Sequence, residues 1–411
     1  MKNVKFHHIY LLLFVFAGLF LNSCNDKDTP EPTSYENFIS TELKLQISSQ
    51  EAVANFIKAA PEAVAISPLI RYDVEVRKIT YKTIFKDKNI QASGLVCLPK
   101  TAGNYPILSF QNGTNTLNSE APSENSDNDM FAIMESITAM GFIVVIPDYI
   151  GFGESSNLAH PYLDAKSSTQ SILDIIRATK EYSTDDKVLA KATKDLFIFG
   201  YSQGGWATMQ LQKTIEKDYS SEFNLIASSC GAGPYSIEYM NKYIVEQPIY
   251  PMPYFMAYLL NSYDIMDAFT NPLSDFIQAP YVAKIPGLFD GKHSGGAINA
   301  ELTTQMASFL TPEYRAGFAT DAKYAGVRSA FLSNSITAWK AKTPMKLFHG
   351  ANDDLIPPGI SSKILADFKA AGLTDSQIQL VSIQGADHAT GIYPTGIQTI
   401  TWFLELKLKL Q

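Results

Sequence analysis

Two patterns of apolar and polar positions divide the chain beyond residue 70. Residues 74–84 and 90–98 alternate polar and apolar side chains on either side of a polar turn, which predicts an antiparallel β-hairpin. Farther along, short apolar runs alternate with segments of helical length, a pattern typical of a mostly parallel sheet that helices cover on both faces. The predicted strands are 107–110, 142–146, 196–199, 225–228, 345–348 and 378–383, and the predicted helices are 127–140, 166–182, 203–218 and 359–371.

A long insertion separates two of these strands. More than a hundred residues lie between 225–228 and 345–348, which is too many for a loop within a compact domain. Helical patterns near 301–310 and 324–339 predict a mostly helical cap over the carboxyl edge of the sheet, where open α/β sheets bind ligands. The predicted organisation is an α/β core of residues 35–232 and 341–411 with a cap of residues 233–340.

Three further segments have helical patterns. Amphipathic stretches at 35–45 and 49–60 predict two short helices ahead of the hairpin. A C-terminal helix is expected from about Pro394.

The N-terminal residues predict targeting. Lys2 and Lys5 precede an apolar run, Ile9–Leu21. Its thirteen residues are too few for a helix to cross about 30 Å of hydrocarbon. We therefore interpret the run as part of a secretory signal.

The motif Leu21-Asn22-Ser23-Cys24 resembles a bacterial lipobox, in which the cysteine becomes the lipidated first residue. The resemblance implies a signal peptide of residues 1–23, lipidation of Cys24 and a polar, proline-bearing tether of residues 24–34. The acidic stretch after the cysteine resembles the surface-export signal of lipoproteins from Bacteroidetes-type bacteria. We expect a lipid anchor at the outer membrane or surface of a Gram-negative cell envelope; an ordinary cleaved signal with an incidental cysteine is the alternative.

Composition narrows the class of protein. The 411 residues are 46% apolar and carry a net charge of −8, which suits a globular protein without a basic surface for nucleic acid. Three cysteines without CxxC spacing argue against a disulfide framework and a cysteine-rich zinc site. Cys97 and Cys230 lie in apolar runs and are expected to be buried thiols. The four histidines after residue 24 do not cluster and no GxGxxG opens a helix, so we predict neither a metal nor a cofactor.

A G-x-S-x-G motif, Gly200-Tyr201-Ser202-Gln203-Gly204, directly follows a predicted strand and opens a predicted helix. This is the setting of a nucleophile elbow, where glycines permit a sharp turn and a close approach of strand and helix. Ser202 would project above the sheet at the positive end of the helix. We predict Ser202 as a nucleophile; a glycine-rich turn with an unreactive serine is the alternative.

A serine nucleophile requires a base and a carboxylate that orients the base. In folds with a nucleophile elbow the chain order is serine, acid, histidine. Two adjacent candidate acids, Asp353 and Asp354, follow the strand 345–348, and His388 is the only histidine after them. It lies in a small-residue loop between the last predicted strand and the C-terminal helix. We predict His388 as the base; an exposed loop histidine without a catalytic role is the alternative.

The candidate acids, Asp353 and Asp354, are adjacent and follow the strand 345–348. The residues alone do not separate them. The segment His349 to Pro357 is similar to the H-G-x-x-D-x-x-V-P pattern of α/β-hydrolases. Aligning its proline selects Asp353 and leaves Asp354 in reserve, with His349 as a structural neighbour.

Two more segments resemble the α/β-hydrolase superfamily. Asp148 to Ser155 is similar to its D-x-x-G-x-G-x-S loop, which shapes the floor of the site. Asn112-Gly113-Thr114 resembles its H-G-x oxyanion loop, with Asn112 in place of the usual histidine. The family pattern implies that the backbone N–H groups of Gln203 and Thr114 form the oxyanion hole.

The resemblance covers most of residues 70–230 and 344–405 and implies an α/β-hydrolase fold. The elbow, the segment Gly231-Ala-Gly-Pro-Tyr235 and the long cap resemble secretory lipases and related esterases. Together these features predict a serine carboxylic-ester hydrolase that acts on a small-molecule ester through an acyl-enzyme. The alternatives are a serine peptidase of the same fold and a non-catalytic surface lipoprotein that binds a ligand.

Overall fold

Nine strands form one sheet within the residues that the computed structural model describes, which are 35–59, 61–126 and 128–410. The strand order is β1-β2-β3-β5-β4-β6-β7-β8-β9; β1, β2 and β3 run antiparallel to their neighbours and the other strands run parallel to one another. The predicted hairpin and mostly parallel sheet are confirmed. The strands are β1 (Phe38–Ile47), β2 (Val74–Phe85), β3 (Lys88–Pro99), β4 (Gly103–Gln111), β5 (Ile143–Pro147), β6 (Ala190–Tyr201), β7 (Asn224–Gly231), β8 (Met345–Gly350) and β9 (Ile378–Ile383).

Helices connect most of the parallel strands. The α-helices of the described residues are α1 (Ser49–Ala59), α2 (Asp129–Thr138), α3 (Ala165–Ser183), α4 (Gln203–Asp218), α5 (Ile237–Glu246), α6 (Tyr254–Ile265), α7 (Ile285–Leu288), α8 (Gly295–Ala300), α9 (Met306–Phe309), α10 (Pro312–Gly317), α11 (Ala325–Asn334), α12 (Gly359–Ala370) and α13 (Ile392–Lys407). Short 3-10 helices occupy Pro61–Leu69, Asn118–Glu120, Gly153–Ser155, Leu273–Asp275 and Ala322–Tyr324. None of the helices in this part of the chain combines the length and the apolarity that a membrane span requires.

The central strands are buried on both faces. Along β6, Leu196 and Ile198 join the core on the side of α3, α4 and α12, while Phe197 and Phe199 join the core on the side of α1, α2 and α13. A strand covered on both faces reads as a continuous apolar run, which is why the sequence predicts it correctly. Cys97 and Cys230 are free and buried, as expected.

The helix predicted over 35–45 is wrong, because this segment forms the edge strand β1. Residues Leu43, Leu45 and Ile47 alternate with polar residues, which is the period of a strand. Antiparallel pairing with β2, with irregularities between Phe38 and Ser40 and between Leu43 and Leu45, gives one edge of β1 the backbone hydrogen bonds of a sheet. The next predicted helix, 49–60, is confirmed as α1.

The insertion between β7 and β8 contains the seven helices α5 to α11. The helix predicted over 301–310 shrinks to Met306–Phe309, because Gln305 and Leu310 form backbone bridges with Ile249 and Ile277. The helix predicted over 324–339 is present but ends at Asn334. Its assignment as a separate cap of residues 233–340 stays a prediction.

The predicted signal peptide, the lipidation site Cys24 and the tether of residues 24–34 lie outside the described residues. Their roles therefore stay predictions.

Candidate active site

Ser202 occupies a sharp turn between the end of β6 and the start of α4. Its backbone angles, φ 59° and ψ −124°, are uncommon for a residue with a side chain, and such strain is concentrated at functional sites. Gly204 is required by a close approach, because a Cβ there would collide with the main-chain oxygen of Gln111. The turn therefore places the Ser202 side chain at the carboxyl edge of the sheet, at the N-terminus of α4.

Three of the predicted side chains form one hydrogen-bonded chain. Nε2 of His388 lies 3.0 Å from Oγ of Ser202, and Nδ1 of His388 lies 2.7 Å from Oδ2 of Asp353. Because an ionised carboxylate can only accept, Nδ1 donates to Asp353, which leaves Nε2 as the ring nitrogen that can accept the proton of the serine hydroxyl. The structure thus brings together residues that are up to 186 positions apart in sequence.

The loops that carry the acid and the histidine are tied to each other and to the elbow. The N–H of Asn352 donates to the carbonyl of Ala386 over 2.9 Å. On the other side, the hydroxyl of Tyr201 donates to the carbonyl of His388 over 2.8 Å. These bonds hold the histidine loop between the serine and the acid.

Asp353 is the acid that faces His388, and its neighbour Asp354 is exposed to solvent. The Asp353 side chain is buried, and its Oδ1 accepts from the N–H groups of Leu355 and Ile356 at 3.1 and 2.8 Å. Burial alone would raise its pKa, but hydrogen bonds from His349 and His388 and from the N–H of Ile356 outweigh burial and lower the pKa to about 2. The carboxylate is therefore ionised at neutral pH.

His349 contacts the same carboxylate. Its Nε2 lies 3.2 Å from Oδ2 of Asp353 and 2.8 Å from the carbonyl oxygen of Ile356. Because a carbonyl can only accept, Nε2 carries the proton. Nδ1 lies 2.6 Å from Oγ of Ser361, whose hydroxyl can donate to it. The sequence identified His349 only as a structural neighbour, although its spacing of four residues from Asp353 was visible.

The predicted oxyanion donors flank Ser202. Gln203 is the first residue of α4, and Thr114 follows β4 in a loop that lies against the serine, since a Cβ at Gly113 would be 3.8 Å from Cβ of Ser202. Oγ1 of Thr114 is 3.0 Å from the hydroxyl of Tyr162. The Tyr149 hydroxyl donates to the carbonyl of Asn112 over 3.2 Å, which ties this loop to Tyr149 after β5.

A buried histidine contacts the side chain of Gln203, one of the two predicted oxyanion donors. Nε2 of His160 is 3.1 Å from Nε2 of Gln203, and Nδ1 of His160 is 2.7 Å from the carbonyl oxygen of Ile150. Burial lowers the pKa of His160 to about 4, so the ring is neutral; its Nδ1 donates to Ile150 and its Nε2 accepts from the Gln203 amide. Ile150 belongs to the loop 148–155, so this loop supports the site through His160. No sequence signal links His160 to Gln203, because only the tertiary structure brings them together.

Two cavities open at Ser202. We call the first the cap pocket; its volume is about 40 Å³ and its walls include Ser202, Tyr162, Ile237, Met240, Ile244 and Leu259. We call the second the sheet-side cavity; its volume is about 300 Å³ and its walls include Ser202, His388, Thr114, Ile137, Gly396 and Ile400. Phe255 of α6 lies between them and lines both. A molecule that reacts at Ser202 can therefore extend into two apolar cavities of unequal size.

The larger part of the chain matches a known family. A sequence model of the secretory lipase family matches residues 116–406. The chain belongs to the secretory lipase family. This secretory lipase is therefore a carboxylic ester hydrolase, and its substrates are small-molecule esters.

Solved structures similar to this secretory lipase share its fold. A protein from Legionella pneumophila has a TM-score of 0.80 and 23% identity, with 90% of this chain and 98% of that chain covered. The rice cell wall degrading esterase LipA from Xanthomonas oryzae has a TM-score of 0.74 and 22% identity, with coverages of 90% and 97%. Candida antarctica lipase A in its closed state has a TM-score of 0.62 and 16% identity, with coverages of 89% and 82%. None of the curated protein sequences matches this secretory lipase.

These similarities confirm the predicted α/β-hydrolase fold and the predicted ester hydrolase class. The catalytic roles of Ser202, Asp353 and His388, and of the two oxyanion donors, stay predictions. Within the described ranges, no group of three His, Cys, Asp or Glu side chains is arranged to hold a metal ion.

Proposed function

We propose that this secretory lipase cleaves carboxylic esters through a covalent acyl-enzyme on Ser202. The observation that carries the proposal is the continuous hydrogen-bonded chain from Asp353 through His388 to Ser202. Such a chain lets a weakly nucleophilic hydroxyl lose its proton at the moment of attack.

In the first half of the reaction, Oγ of Ser202 attacks the ester carbonyl carbon while Nε2 of His388 takes the hydroxyl proton. Asp353 stabilises the resulting imidazolium and holds the ring in orientation. The N–H groups of Gln203 and Thr114 donate to the tetrahedral oxyanion, and each such donor typically contributes about 3 kcal/mol in the transition state.

The intermediate collapses when the ester C–O bond breaks and His388 returns its proton to the departing alcohol oxygen. Water then attacks the acyl carbonyl, with His388 acting again as base, and release of the acid restores the Ser202 hydroxyl. The two carbonyl-addition steps use the same donors and the same base, so no other protein group is required.

The test is the hydrolysis of p-nitrophenyl acetate by the purified protein and by its Ser202→Ala variant. We expect the variant to lose at least about 10³-fold in kcat. A matched control is Ser333→Ala, which removes an exposed serine hydroxyl that donates to the carbonyl of Ser329 within its own helix. Treatment with a fluorophosphonate, followed by mass spectrometry, should place the adduct on Ser202. Retention of hydrolysis in Ser202→Ala, or turnover of aminoacyl anilides without ester turnover, would contradict the proposal.

We also propose that Cys24 anchors the enzyme by lipid to the cell envelope. The support is the lipobox-like sequence Leu21 to Cys24 and the polar tether after it. A secretory lipase is an exported protein, which agrees with such a signal. Cys24→Ala should move the protein from the membrane fraction to the soluble fraction of cells that express the full chain, and an unchanged membrane fraction would contradict the anchor.

A further inference from the structure

The two cavities at Ser202 differ in their relation to His388. The imidazole lines the sheet-side cavity together with Thr114, whereas the described walls of the cap pocket do not include it. An ester has an acyl half and an alcohol half, and the two extend from the carbonyl carbon in different directions. The position of the histidine therefore determines which half enters which cavity.

The alcohol half belongs on the histidine side. The departing oxygen must receive its proton from Nε2 of His388, so this oxygen has to lie within hydrogen-bonding distance of that atom. The alcohol carbons attached to it then extend into the sheet-side cavity. The acyl carbons, which His388 does not have to reach, extend into the cap pocket.

The two cavities differ in size, so they suit an ester whose acyl and alcohol halves also differ in size. The cap pocket is the smaller of the two, with a volume of about 40 Å³. The sheet-side cavity is much larger, with a volume of about 300 Å³. The small cavity thus suits an acetyl or propionyl group, and the large one suits a long or cyclic alcohol.

The walls of the sheet-side cavity set the polarity of the alcohol. Apolar side chains of α2 and α13 form much of its lining, among them Ile137, Ile397 and Ile400. Its described lining includes no Asp, Glu, Lys or Arg. Without charged partners, a charged alcohol would lose its hydration without compensation, whereas an alkyl or aryl group gains from burial.

We propose that this enzyme is selective for esters of a short acyl group with a large apolar alcohol. The proposal rests on the Ser202 mechanism proposed above and adds the direction in which the substrate lies. The selectivity is set by the narrow cap pocket on the acyl side and by the open sheet-side cavity on the alcohol side.

Two isomeric esters of the same composition test which half of the substrate lies in which cavity. Octyl acetate and ethyl octanoate have the same formula and place the long chain on opposite sides of the ester. Release of acid from each is measured below its solubility limit, with p-nitrophenyl acetate as a check of activity. We expect kcat/KM for octyl acetate to exceed that for ethyl octanoate by at least tenfold.

A substitution that fills part of the sheet-side cavity gives a second test. Gly396 of α13 lines the sheet-side cavity, and a Cβ at this position would meet no atom within 4 Å. Gly396→Leu therefore adds a side chain whose Cβ has room and whose methyl groups occupy part of the cavity. We expect it to lower kcat/KM for octyl acetate at least fivefold more than kcat/KM for ethyl acetate, because the longer alcohol extends farther into the cavity.

A matched control is Gly296→Leu, at an exposed glycine of α8 whose Cβ would likewise meet nothing within 4 Å. This variant should leave kcat/KM unchanged for both octyl acetate and ethyl acetate. Conversely, Ile244→Ala enlarges the cap pocket and should raise kcat/KM for ethyl octanoate relative to octyl acetate at least threefold.

The outcomes separate the two proposals. Absence of turnover of all esters, p-nitrophenyl acetate included, overturns the proposed function itself. Turnover of p-nitrophenyl acetate with ethyl octanoate preferred, or with the two isomers equal, leaves the mechanism standing and overturns the inferred direction. An equal loss on octyl and ethyl acetate in Gly396→Leu also overturns it.

Discussion

Nε2 of His349 lies 3.2 Å from Oδ2 of Asp353, although His349 is not part of the chain that reaches Ser202. The same oxygen is 2.7 Å from Nδ1 of His388. The carboxylate therefore receives donors from two buried or partly buried imidazoles. Because His349 would hold Asp353 in place and would not touch substrate, its proposed role is that of a positioning residue.

His349→Phe removes the donor and keeps a ring of similar size. We expect kcat to fall about 10- to 100-fold, because a carboxylate that moves misorients the base. His349→Gln, which retains an amide donor, should recover part of the loss. The measurements are kcat and the pH–rate profile of both variants, with thermal unfolding as the check of folding.

Ser361→Ala serves as the control for His349, since it alters the far ring nitrogen and leaves the contact with Asp353 in place. A folded His349→Phe enzyme with an unchanged kcat and pH profile would show that the contact has no positioning role.

The choice between the adjacent acids is directly testable. Asp353→Asn should lower kcat by about 10⁴-fold, because a neutral amide neither stabilises the imidazolium nor maintains the required tautomer. Asp354→Asn should stay within twofold, since Asp354 is exposed and does not face His388. Steady-state kinetics on one ester measures both variants, and the reverse ranking would make Asp354 the acid.

The low pKa of Asp353 also predicts how stability depends on pH. Its pKa of about 2 in the folded protein lies below the value of about 3.9 expected in the unfolded chain. The ionised carboxylate thus stabilises the fold above about pH 4 by about 2 kcal/mol, and this contribution is lost as the pH falls through about 2. Urea unfolding should show the stability difference between wild type and Asp353→Asn shrinking from pH 5 toward pH 2. A difference that grows on acidification would contradict the assigned direction.

The elbow glycine is predicted to be essential for packing. Gly204→Ala places a Cβ against the main-chain oxygen of Gln111 at the end of β4, so the helix or the strand must shift. We expect the free energy of unfolding to fall by about 2 kcal/mol or more, together with activity. Gly396→Ala is the matched control, because its Cβ meets nothing within 4 Å and alanine favours a helix. Equal unfolding midpoints for the two variants would refute the steric argument.

Much of the site could be predicted because its chemistry depends on local patterns. Ser202 lies in a five-residue motif between a strand and a helix, and His388 is the only histidine that follows the acids. The central strands are continuous apolar runs, since both of their faces are buried. The edge strand β1 was missed because its half-exposed residues give a weak pattern and its conformation depends on pairing with β2.

The sequence by itself determined the class of fold, the three side chains of the proposed triad up to the choice between two acids, and the family. The resemblance to the α/β-hydrolase pattern selected Asp353 over Asp354, and the structure shows Asp353 facing His388. Tertiary structure alone decided that His349 joins Asp353 and that His160 supports Gln203. It also decided that two cavities of unequal size meet at Ser202. The physical reason is that strand and turn signals are carried by neighbouring residues. Hydrogen bonds and cavity walls, in contrast, depend on where distant segments pack against one another.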